Sequence, residues 1–167
     1  MSHLTILTSL FNYKAWANQE IFATVKKLKP DEHKQELHAA IRILNHIYVV
    51  DRIFQANLQG LKHSFTATNT AETPSLEALL AAVVETDNWY VAYVAHLGRD
   101  ELDAVVRFNF VDGDKGQMSR EEMLMHVVTH GGYHRGAVGR ILAQLSIAPP
   151  RDIFTKYLHE SEPARRA

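Results

Sequence analysis

The chain has no cysteine, so it can build neither a disulfide framework nor a thiolate metal site. No apolar run approaches the ~18 residues that a membrane span needs. The amino end lacks a basic stretch followed by an apolar run and a small-residue cleavage site, so no signal peptide is expected. Basic residues are scattered, apart from Arg165-Arg166, and the formal net charge is −1. Nucleic-acid binding usually needs a clustered basic face, so no such partner is expected. These absences leave a soluble domain, expected in the cytoplasm. At 167 residues, with 46% apolar and 22% charged, the chain is long enough for a single domain with a buried core.

Four long segments show helical periodicity. The first runs from about Leu4 to Leu28, with Leu7, Phe11, Ala15, Asn18, Phe22 and Val25 on one stripe. Lys29-Pro30-Asp31 ends it, since proline disfavours helical geometry in the residue before it. The second runs from about Gln35 to Leu58, with Ile43, Ile47, Val50 and Phe54 along its apolar side, and Gly60 closes it. A polar connection follows, from Leu61 to Glu72. Thr73-Pro74 resembles an N-cap with proline at the first helical position, so a third helix is expected over about Pro74 to Leu97.

From Arg99 to Met118 the pattern changes. Val105, Val106, Phe108 and Phe110 suggest a short extended excursion, and Asp112-Gly113-Asp114 a turn. Ser119-Arg-Glu-Glu122 has capping-box spacing and opens a fourth helix, expected to reach about Leu145. Pro149-Pro150 breaks it, and a short final helix is expected over about Asp152 to Leu158. The expected fold is all-α: a four-helix bundle with an extended excursion between the third and fourth helices and a short C-terminal helix. The domain is expected to span residues 1–160, with 161–167 as a flexible tail.

Within the fourth helix, His126, His130 and His134 recur at four-residue spacing. Each step advances about 400°, so successive imidazoles point nearly the same way, one turn apart. Two imidazoles so placed can converge on one metal ion. Met123, Val127, His130, His134, Ala137 and Ile141 read as one core-facing stripe, which favours the later pair. His126 with His130 has equally good spacing, and spacing alone does not choose between them. His46 interrupts an apolar surface midway along the second helix, and together with the pair it would complete a three-nitrogen face with an open coordination position. The competing reading is a set of core histidines satisfied by neighbouring groups. Three imidazoles accept zinc, nickel, copper or iron.

Two metal-site patterns are excluded by residue identity. His126-Val-Val-Thr-His130 carries valine where His-Glu-x-x-His needs its glutamate. A di-iron bundle needs Glu-x-x-His motifs, and no glutamate stands three positions before His46, His130 or His134.

Three segments together carry a family resemblance: Asn12-Tyr-Lys-Ala-Trp-Ala-Asn18, Leu44-Asn-His-Ile47 with Asp51-Arg52, and His126-Val-Val-Thr-His-Gly-Gly-Tyr-His-Arg-Gly136 followed by Pro149-Pro150. In their order and spacing the chain resembles the DinB/YfiT-like family of metal-dependent enzymes over nearly its whole length. The resemblance implies a four-helix bundle, often a homodimer, that binds a divalent metal through His46, His130 and His134. It implies no DNA binding. It points to a metal-dependent thiol transferase or isomerase acting on a small-molecule substrate, with bacillithiol, mycothiol or glutathione as cosubstrate. A Lewis-acidic ion with an open position would lower a thiol's pKa from about 8.5. The same face could activate water for hydrolysis, or serve a non-catalytic stress-response protein.

Other residues carry weaker expectations. Asn18 is expected to be a hydrogen-bonding partner in the core, and Tyr13 and Trp16 to pack. Arg135 is expected in a helix-surface ion pair, with binding of an anionic thiol's carboxylate as the alternative. Gly131 and Gly132 suggest close approach by another helix. His3, His33, His38, His63, His96 and His159 are given no role.

Overall fold

The computed structural model describes residues 3–166. The parts of the expected domain and tail at residues 1, 2 and 167, and the side chains of His3 and Leu4, lie outside what is described. The fold is mainly α. Its helices are α1 (His3–Val25), α2 (Lys34–Leu58), α3 (Leu76–His96), α4 (Arg120–Gln144) and α5 (Phe154–Ser161). Strands β1 (Val105–Asn109) and β2 (Lys115–Ser119) form an antiparallel hairpin between α3 and α4. Short 3-10 turns cover Arg99–Glu101 and Pro163–Arg166, the latter within the segment expected to be a tail. Helix α1 packs on α3 and α4, α2 on α4 and α3, and α5 on α1, while the hairpin lies against α2 and α4.

The local signals mostly landed where the sequence put them. Ser119 caps α4 as a capping box: its hydroxyl accepts from Glu122 N at 3.1 Å, and Ser119 N donates to Glu122 Oε2 at 2.7 Å. Such a cap contributes about 1 kcal/mol. The start of α3 differs from expectation. Ser75, not Thr73, is the N-cap, accepting from Ala78 N at 3.2 Å. Pro74 therefore precedes the helix instead of opening it. Helix α1 ends at Val25, and its last expected residues form turns, with Leu28 N donating to Val25 O at 3.0 Å. Helix α5 begins at Phe154, two residues later than expected, with Ile153 before it in extended backbone (φ −134°, ψ 135°).

The core has two apolar clusters. Leu7, Phe11, Tyr90, Val94, Met123 and Val127 belong to one; Ile21, Phe22, Leu79, Val83, Val138 and Leu142 belong to the other. Fully burying one such side chain contributes about 1.5–3 kcal/mol. A buried polar layer separates the clusters along α1 (Lys14, Asn18), α3 (Thr86, Asp87) and α4 (Arg135). Lys14 Nζ donates to Asp51 Oδ2 and Asp87 Oδ1, both at 2.7 Å. Asn18 bridges onward, donating to Asp87 Oδ2 at 2.8 Å and accepting from Arg135 Nη1 at 3.1 Å. Arg135 Nε completes the chain by pairing with Asp152 Oδ2 at 2.7 Å.

This layer corrects two expectations. Arg135 is 2% exposed, a buried ion-pair partner and not a surface one. The buried rows of α1 and α4 also sit beside the predicted stripes. Lys14 is buried where Ala15 was expected, and Ala137 is exposed while Arg135 and Val138 are buried. Gly131 is needed where the layer crosses α4: a Cβ there would stand 3.0 Å from Arg135 Nη1 and 3.5 Å from Lys14 Cε. The tight neighbour is therefore the Arg135 side chain of the same helix, while Lys14 of α1 lies at ordinary contact distance.

Candidate metal centre

His46 lies on α2, and His130 and His134 lie one turn apart on α4, the helix packed against it. All three are half-buried. Because the buried row of α4 runs through Val127, Gly131 and Arg135, His130 and His134 stand at the rim of the core and not in its middle. That rim position lets imidazoles from two helices face one another while remaining reachable from outside.

One ligating nitrogen from each of the three histidines lies within 4.8 Å of the others. His46 Nε2 is 3.1 Å from His130 Nε2. The ring centroids of His46–His134 and of His130–His134 are each 4.5 Å apart. Two nitrogens bound to one ion at about 2.0–2.1 Å can stand no more than about 4.2 Å apart, so small side-chain shifts suffice to bring the group onto one centre. His126 stands outside this group. Its ring stacks on Phe54 at 4.6 Å and on His130 at 5.3 Å.

The orientation of His46 has a definite cause. Its Nδ1 lies 2.7 Å from the carbonyl oxygen of Thr68, which can only accept. Nδ1 therefore carries the proton, and Nε2 is left with its lone pair aimed at His130. A clamp holds Thr68 in place. Asn45, one residue before His46, donates to Asn69 Oδ1 and, at 2.8 Å, to Thr70 Oγ1. Asn69 Nδ2 donates back to Arg42 O at 3.0 Å, and Arg42 Nη1 donates to Thr70 O at 2.7 Å. The polar connection, which showed no motif, is thus pinned to α2.

Electrostatics favour neutral imidazoles. Burial, with the nearby His134, His46 and His126 rings and the Lys14 ammonium adding repulsion, lowers His130 to about 3. Burial, followed by repulsion from His46, lowers His134, and burial alone lowers His126. His130 Nδ1 is buried without a hydrogen-bond partner. With the His46 Nδ1 proton committed to the Thr68 carbonyl, its Nε2 lone pair faces His130 Nε2, and a donor set of three converging imidazoles fits a divalent ion.

Beside the histidines lies an apolar pocket of about 320 Å³ between α2, α4 and the hairpin. Val50, Ile53 and Phe54 line one side, and Phe108 and Met118 the other. The sequence marked the segments around Leu61–Glu72 and Arg99–Met118 as the ones expected to set the substrate, without a motif to say which residues would do so; Thr68, Phe108 and Met118 are among those that line the pocket.

The network through Lys14 and Arg135 abuts this centre from the core side. Burial works against the charge of Lys14, but Asp51 and Asp87 outweigh it and raise its pKa. Burial raises Asp51 to about 6 despite Lys14. Neither Lys14 nor Asp87 was identified from the sequence, because a charged residue on a helix reads as solvated surface.

The family model described as the DinB family matches residues 1–165. The protein named DinB from Bacillus subtilis (strain 168) is 24% identical over 159 residues, covering 89% of this chain and 91% of that relative. No solved structure matches the chain.

Proposed function

The chain belongs to the DinB family, and from that premise we propose that it is a metal-dependent enzyme whose single divalent ion is held by His46, His130 and His134. The observation that carries this reading is the convergence of three imidazole nitrogens within 4.8 Å from two helices. We further take the four long helices as a four-helix bundle forming a single domain over residues 1–160. Family membership is what supports a homodimer and a cytoplasmic setting.

For the reaction we propose thiol transfer or isomerisation with a low-molecular-weight thiol as cosubstrate. A zinc, nickel or iron ion held by these residues supplies Lewis acidity, which lowers the pKa of a coordinating thiol from about 8.5 toward neutrality. Thr68 fixes the His46 tautomer through its carbonyl. Burial keeps His130 uncharged at neutral pH, so protons do not compete for its lone pair. The apolar pocket beside the histidines keeps water away from one side of the centre and gives an electrophilic partner a place to lie. That pocket also favours an enzyme over a purely structural ion.

The test is spectroscopic. Cobalt-substituted protein is titrated with glutathione and with cysteine-derived thiols. A sulfur-to-cobalt charge-transfer band that saturates is the expected result. A bound cobalt whose spectrum ignores every thiol would overturn the thiol reading and leave hydrolysis as the alternative.

A further inference from the structure

Along one face of α2, His46, Val50, Ile53 and Asn57 all line the pocket. Their spacing of four, three and four residues places them on one stripe, over about 16 Å of helix axis. The pocket therefore has a histidine end, an apolar floor and an asparagine end. Its other wall depends on the hairpin register, which sets Phe108 opposite Gly116. The Phe108 ring lies over that glycine, where a Cβ would come within 2.5 Å of it.

The asparagine end is unmet. Asn57 Nδ2 is buried and has no hydrogen-bond partner, a costly arrangement unless something else accepts from it. The lining includes no aspartate, glutamate, lysine or arginine, so a charged tail would be desolvated there without compensation.

We propose that the pocket binds an elongated, uncharged, apolar substrate lengthwise. Its reacting group lies at the histidine end, beside the position that the thiol would take, and a hydrogen-bond acceptor at its far end receives the Asn57 amide. This rests on the metal-centre reading above and adds the shape and polarity of the substrate to it.

The experiment uses zinc-loaded full-length protein and a series of hydroxamates, whose head group chelates the metal. Affinities are measured by calorimetry from acetohydroxamate to octanohydroxamate. Each added methylene should tighten binding about fourfold until the tail spans the pocket. Tails ending in a methyl ketone should bind several-fold better than matched alkyl tails, and Asn57→Leu should abolish that preference. Met118→Trp, which fills the pocket, should remove the gain from the tail, so that octanohydroxamate binds that variant no more tightly than acetohydroxamate does. Circular dichroism checks folding; if Met118→Trp does not fold, the parent series and Asn57→Leu at its half-exposed position carry the test. Acetohydroxamate binding with no gain from longer tails overturns the pocket assignment alone. A ketone preference that survives in Asn57→Leu overturns the role of the asparagine. Failure of the protein to load zinc overturns the metal centre; failure of every hydroxamate to bind the loaded protein overturns its open coordination position, and this proposal falls in either case.

Discussion

His46 Nε2 and His130 Nε2 stand 3.1 Å apart, although 84 positions separate them in the chain. Two ring nitrogens meet this closely only if each helix presents its histidine at the same level and the same angle. On α2 that angle is set by the Thr68 carbonyl, and on α4 by the packing of Val127 and Gly131 into the core. The centre is thus built by groups that are not themselves ligands.

The clamp on Thr68 makes this testable. Asn69→Ala or Asn45→Ala releases the connection from α2 without removing a ligand. Metal affinity should fall by about 10- to 100-fold, as it does when outer partners of ligating histidines are lost. Competition with a chromophoric chelator reads the change. Unaltered affinity in both variants would mean that His46 needs no help from Thr68.

Lys14 joins two buried carboxylates from different helices, Asp51 on α2 and Asp87 on α3. Lys14→Met would leave both unpaired in the core, and urea unfolding should show a loss of about 3–5 kcal/mol. The triple variant Lys14→Met, Asp51→Leu, Asp87→Leu should recover much of that loss. A Lys14→Met protein as stable as the parent would show that the layer contributes nothing to the fold.

That layer also marks how far the sequence could be read. Helices, hairpin turn and the Ser119 cap were legible because their causes are local: apolar spacing, Asp112-Gly113-Asp114, and a serine three residues before a glutamate. That His46, His130 and His134 come together was legible in the four-residue spacing and in the family resemblance; their place at the rim, and not on the buried row, was not. Lys14 and Arg135 were not, since only partners from other elements make their burial tolerable. Their charges shifted the buried rows of α1 and α4 away from Ala15 and Ala137. Asn57 and Phe108 were hidden for a related reason: the pocket they share exists only once the hairpin folds back onto α2.

Acid should destabilise the metal-free protein through its histidines. His130 titrates at about 3 in the folded chain and near 6.5 when unfolded. Between those values the unfolded state binds more protons, so stability is present above about pH 6.5 and lost as pH falls toward 3. His126 and His134, also lowered, act in the same direction. Asp51, raised to about 6, acts against them by favouring the folded state as it protonates. Urea unfolding in the presence of a chelator at several pH values should show His130→Leu flattening the acid slope relative to the parent. An identical slope in the two proteins would contradict the depressed pKa.

The central claim is that three histidines hold one ion. Untagged protein, purified without a metal column and dialysed after exposure to zinc, is measured by elemental analysis beside His130→Ala. The account predicts about one metal per chain in the parent and none in the variant, with helical content retained. Stoichiometric metal in His130→Ala, or none in either protein, would contradict it.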